Sequence, residues 1–162
     1  MTSAPCADGI VRRDSRKVAP MLRIKLIGGF EITHDGERIS GLTGARVQAL
    51  LAYLVLHRGA PHSREYLAYT FWPDSSESQA RTNLRRELHQ LRRILAHTGD
   101  FLRGADAQSI QWNPDLPFSL DVADFEEALA QADRSDNSLA RREHLQRAVT
   151  LYQGDLLARA LR

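Results

Sequence analysis

The 162-residue sequence contains one cysteine, Cys6. A single thiol excludes an internal disulfide framework and any multi-cysteine zinc site within one chain. No apolar run approaches the roughly 18 residues that a membrane span requires. The first twenty residues carry Arg12, Arg13, Arg16 and Lys17 but no apolar stretch, so they do not read as a secretory signal. The expectation is a soluble, reduced, cytoplasmic protein. Catalytic signatures are missing too. There is no G-x-S-x-G, no H-E-x-x-H and no P-loop, and no G-x-G-x-x-G follows Gly28-Gly29. The histidines at 34, 57, 62, 89, 97 and 144 show no H-x3-H pair and no spacing typical of a ligand set. No metal, no cofactor and no enzymatic activity are expected.

Lysine is nearly absent: only Lys17 and Lys25 stand among the 22 basic residues. An arginine bias supplies planar donors suited to phosphate or guanine, although high-GC coding produces the same bias. What remains is ordinary for a globular chain, with 43% apolar and 26% charged residues. The length corresponds to about one domain, or one domain plus a fragment. Charge is unevenly placed. Residues 1–113 hold 16 Lys and Arg against 11 Asp and Glu, a net +5, and residues 114–162 hold 6 against 9, a net −3. A basic front and an acidic back suggest two units with different partners.

Residues 1–21 lack an apolar period and read as a disordered tail. Leu22, Ile24 and Leu26 then alternate as a half-buried strand. Gly28-Gly29 interrupts it, Phe30 to Thr33 resume, and Asp35-Gly36 is a hairpin signal. The period then changes. Thr43 is the expected N-cap of a helix whose core stripe is Val47, Leu50, Leu51, Leu54 and Val55, ended by Gly59. Ser63 caps a short helix that Pro73 closes. Asp74 with Glu77 resembles a capping box opening a long helix to about Ala96. Residues 101–112, turning through Gly104-Ala105-Asp106, read as a second hairpin.

Small sheet, three helices and a closing hairpin make an α+β chain with the order of a winged helix-turn-helix, here expected over 22–113. Pro114 and Pro117 mark 114–120 as a linker. Residues 121–162 then form a short all-α helical hairpin. Asp121 caps its first helix, bearing Phe125, Ala128, Leu129 and Ala132, and the second carries Leu145, Ala148, Val149 and Tyr152.

The long helix repays inspection face by face. With Ala80 at 0° and 100° per residue, Ala80, Leu84, Leu88, Leu91 and Leu95 fall within about 0–80°. Thr82, Arg86, His89 and Arg93 lie opposite, at about 180–240°, and Arg81, Arg85 and Arg92 flank them at about 100–140°. Five arginines within 13 residues, with Glu87 the single acid among them, give an outward face able to fork onto guanine or clamp phosphate. Arg103 on the closing hairpin could reach a phosphate or the minor groove. The DNA-binding candidates are therefore Arg81, Thr82, Arg85, Arg86, His89, Arg92, Arg93 and Arg103.

The segments LRIKLIGGFEI (22–32), QALLAYLVLH (48–57), FWPD (71–74) and NLRRELHQLRRIL (83–95) resemble the DNA-binding domain of the SARP family of antibiotic regulatory activators. AVTLYQGDLL (148–157) is similar to the start of the bacterial transcriptional activator domain, the TPR-like unit of that family. The resemblance implies an OmpR-type winged helix with 80–93 as recognition helix, 102–112 as wing, and the 71–76 turn (Phe71 to Ser76) able to face RNA polymerase. It implies a transcriptional activator that binds promoter direct repeats of double-stranded DNA as head-to-tail pairs. The family's helical domain continues for several more helix pairs, so 121–162 reads as a truncated TPR-like segment. The alternative is an interaction module whose acidic helical hairpin binds a protein partner while the winged domain serves as scaffold. Salt separates the two, because protein pairing lacks the steep log–log salt slope of DNA binding.

Overall fold

The alternation of Leu22, Ile24 and Leu26 produces strand β1 (Leu22–Lys25), with these three side chains buried. β1 runs antiparallel to β2 (Glu31–His34), which turns into β3 (Glu37–Arg38). The turn is the Asp35-Gly36 pair, at φ +52° and +87°. Positive φ at both central residues is what a tight hairpin of matching twist demands, and Asp-Gly tolerates it. A computed structural model describes residues 21–104 and 106–158. The expected tail, except Met21, and the middle of the wing turn at position 105 lie outside the described residues. Met21 donates its backbone N–H to the Asp35 carboxylate at 3.0 Å.

Helix α1 (Ala45–Leu56) buries the expected stripe of Val47, Leu50, Leu51, Leu54 and Val55. Its start differs from expectation: the N-cap is Gly44, with no side-chain cap, and Thr43 lies outside the helix. The end is His57 rather than Gly59, with the His57 N–H bonded to Tyr53 O. Two-residue strand β4 (His62–Ser63) precedes α2 (Arg64–Phe71), and the Ser63 hydroxyl accepts from the Tyr66 N–H as expected of an N-cap. Helix α3 (Glu77–Leu95) starts two residues later than a capping box at Asp74 would place it. Ser76 is the cap, its hydroxyl accepting from the Gln79 N–H. All five inward positions of α3, from Ala80 to Leu95, are buried.

The closing hairpin is present as β5 (Leu102–Arg103) and β6 (Ser109–Trp112). β4 joins it to give a three-stranded wing in the order β4-β6-β5. Trp72 and Trp112 are both buried; Trp112 stacks on Phe101 and meets the edge of Phe118.

The stretch expected as a linker contains a strand. Residues Phe118–Leu120 form β7, which pairs parallel with β1, Leu22 opposite Phe118. The first sheet is therefore four-stranded, β3-β2-β1-β7. The Phe118 ring meets that of Trp112 at 5.4 Å and Leu120 is buried in the core, so the stretch is held in place despite the two prolines upstream. Helix α4 (Asp121–Arg134) follows at once. Asp121 is its first residue, not its cap. Its carboxylate accepts from the Leu26 and Ile27 N–H groups at 2.8–2.9 Å. Helix α5 (Ser138–Leu151), capped by Asn137, packs back on α4 through Ala128, Ala132 and Ala148. Leu145, Val149 and Tyr152 stay exposed, although the Tyr152 ring lies 6.1 Å from that of Phe125 on α4. The chain then returns to β1's end: Leu157 N–H donates to Leu26 O at 2.8 Å and Gly28 N–H to Asp155 O at 2.9 Å.

Candidate nucleic-acid interface

Burial of the Leu84, Leu88 and Leu91 row against the core forces the opposite face of α3 outward. Arg81, Thr82, Arg85, Arg86, His89, Arg92 and Arg93 are all exposed, as is Arg103 on β5. The structure thus brings seven of the eight sequence candidates onto one helix and sets the eighth on the adjoining wing.

Their charges are not equally available. Arg81 is ion-paired with Glu77, one turn back, and lies 3.7 Å from Glu65 on α2. Arg86 meets Glu87 at 3.1 Å through one nitrogen, leaving most of its fork in solvent. Arg103 pairs with Asp115 at 2.9 Å. The Thr82 hydroxyl donates to Ser78 O, so only its acceptor side remains open. Arg92 donates to Leu102 O on β5. Arg85, His89 and Arg93 make no hydrogen bond or ion pair among the described residues. Exposed pairs such as those of Arg81 and Arg103 are worth at most about 1 kcal/mol and exchange readily for a phosphate.

Arg64 escaped the sequence reading. It is the first residue of α2, its backbone N–H donates to Gln108 O at 2.8 Å and its Nε to Ser109 O at 3.3 Å. Burial lowers its pKa, and the nearby Arg92 and Arg85 lower it further, with Asp106 acting the other way. Asp106 itself sits below the usual carboxylate range, through hydrogen bonding to Ser109 and from the Gln108 N–H. No sequence period marks Arg64, because its role depends on the two-residue strand β4 that fastens α2 to the wing. Arg64, Glu65, Arg81, Leu84, Arg85 and Gln108 are among the residues lining a cleft of about 340 Å³ between the wing, α2 and α3; Glu65, its one acid, lies 3.7 Å from Arg81.

The α2–α3 turn projects beside this face. Pro73, Asp74 and Ser76 are exposed, while Trp72 is held inside, with the Arg46 guanidinium 5.7 Å from its ring centre.

No protein-family model matches the chain, and no curated protein matches it. A solved structure does. The chain is similar to Mycobacterium tuberculosis EmbR, determined in complex with a low affinity phosphopeptide, at 24% identity and a TM-score of 0.66. The match covers 84% of this chain and 37% of that one. Over its described residues this chain has a mixed α+β fold similar to the winged-helix fold of that structure. No described helix is long and apolar enough to cross a membrane.

Proposed function

We propose that the protein is a sequence-specific double-stranded DNA-binding transcriptional regulator, acting as an activator on tandem direct repeats. The observation that carries this reading is the arginine-bearing outward face of α3, backed by a fully buried apolar stripe and flanked by a three-stranded wing. A helix so anchored can enter the major groove as a rigid rod. Arg81, Arg85, Arg92, Arg93 and Arg103 set its register on phosphates, and Thr82, Arg86 and His89 face base edges. The likeness to EmbR, a SARP-family regulator, supports the same reading. Two copies bind head to tail, one helical turn of DNA apart, and the Phe71–Ser76 turn faces RNA polymerase. The reading assigns no catalysis and no cofactor.

Selection of bound duplexes from a random pool, followed by a salt titration of the winner, tests the proposal. A defined repeated motif and a steep log–log slope are expected. Failure to enrich any motif, or a flat slope, sinks it.

One observation favours the second reading, that of an interaction module. Leu139, Leu145 and Val149 on α5, and Tyr152 just past its end, leave exposed apolar side chains, Val149 at 74%. The hairpin is also less uniformly acidic than its composition suggested: acids crowd α4, whereas α5 carries Arg141, Arg142 and Arg147. A protein that binds a partner but shows a flat DNA salt slope would fit this reading instead.

A further inference from the structure

We propose that Arg64 and Arg85 together form a seat for one backbone phosphate of DNA, in the cleft where the wing meets α3. This inference rests on the DNA-binding reading and goes beyond it by making Arg64, a residue outside α3, part of the contact surface.

The two guanidinium groups come from different elements. Arg85 stands on α3 and makes no bond among the described residues. Arg64 opens α2 and is held by the wing through Gln108 O and Ser109 O. Both line the same cleft, whose inner wall includes the buried Leu84. Arg81 reaches the cleft as well, but Glu65 and Glu77 already oppose its charge. Asp106 is the acid acting on Arg64, and its Oδ1 accepts from the Gln108 N–H at 2.8 Å. Arg92, anchored on Leu102 O, adds positive field from the other side.

Like charges gathered beside a half-buried wall repel one another. An anion relieves that repulsion, and a phosphate accepts from two forks at once through its non-bridging oxygens. With its Nε held by Ser109 O, Arg64 still has both terminal nitrogens to offer. Its anchoring means that less side-chain freedom is lost on binding. A groove-bound α3 would bring the sugar–phosphate backbone past this cleft, since the wing flanks the same helix.

The test measures duplex affinity over a salt series for the wild type, Arg64→Gln, Arg85→Gln and the double variant, with thermal melting of each. A shared phosphate predicts less than one unit of slope lost in each single variant, since the remaining arginine still neutralises it, and about one lost in the double. A loss of about one in each single variant and about two in the double means separate phosphates and overturns the seat, as does an unchanged slope in the double. If Arg64→Gln melts early, wild-type NMR decides: the Arg64 and Arg85 Nε–H resonances should move together, with one dissociation constant, as inorganic phosphate is added. Silent or independent resonances overturn the seat. A wild type that binds duplex while the variants keep its slope leaves the DNA reading standing without the seat. A wild type that binds no duplex removes the DNA reading and overturns the seat with it, whatever the phosphate titration shows of the cleft.

Discussion

Arg86 and Arg93 lie seven residues apart on α3, about 10.5 Å along the axis, a span of roughly three base pairs. Arg86 is nearer the N-terminal end that recognition helices insert, and its contact with Glu87 uses one nitrogen only. Arg86→Ala should weaken binding to the selected site by about 1–3 kcal/mol and flatten discrimination at one base position. Arg93→Ala should weaken all sequences about equally and lower the salt slope by about 1. Titrating both variants on the selected site and on a scrambled duplex decides it. Equal losses on both duplexes for Arg86→Ala would remove its base-reading role. On the inner face, Leu84 and Leu88 are 2% and 1% exposed. Their replacement by Ala should each cost roughly 2–5 kcal/mol by denaturant melting, through lost burial plus the cavity left behind. DNA binding should suffer only through unfolding.

Among the elements, those with a clear period or a flanking turn signal were legible in the sequence, the two-residue β5 included, and those with neither were not. The α1 and α3 stripes could be read because 3.6-residue spacing survives any tertiary context. β4 and β7 were hidden because two or three residues cannot display a period. Helix starts shifted because several residues compete for each cap: Gly44 displaced Thr43, and Ser76 displaced Asp74. The eight α3 and wing candidates were visible as a wheel pattern, whereas Arg64 required knowing that β4 ties α2 to β6. Asp121 was misread for the same reason. Its carboxylate accepts from the Val122 N–H of its own helix at 2.9 Å, but it also answers two N–H groups just past the end of β1. Asp121→Asn replaces a charged acceptor with a neutral amide, and the melt should show a loss of roughly 1.5–3 kcal/mol. A loss within experimental error would show that β1 does not depend on this bond. Gly28 closes the same corner at φ +77°, where an added Cβ would stand 2.7 Å from Gln153 O. Gly28→Ala should therefore release the 153–157 return segment, seen as faster amide exchange at Leu157.

For the molecule as a whole, the division into a winged unit ending at 113 and a helical unit starting at 121 runs through a continuous sheet. Removing residues 114–158 would strip β7 from β1, uncover Trp112 and leave the Leu26 and Ile27 N–H groups without Asp121. A chain ending at 113 should melt well below one ending at 158, and one ending at 134, which keeps β7 and α4, should recover part of the difference. Equal melting temperatures for the chains ending at 113 and 158 would show that the winged unit needs nothing from beyond it. The parallel β1–β7 pairing also has a temporal side. Leu22 meets Phe118 across 96 positions of sequence, and closing so long a loop is entropically slow compared with forming a local hairpin or helix. On the ribosome, at roughly 5–20 residues per second, β1 waits several seconds for its second neighbour. During that interval one side of β1 is an unpaired strand edge, open to mispairing with another nascent chain. The charges of the exposed Arg23 and the half-buried Lys25 on that strand are the kind that discourage such pairing.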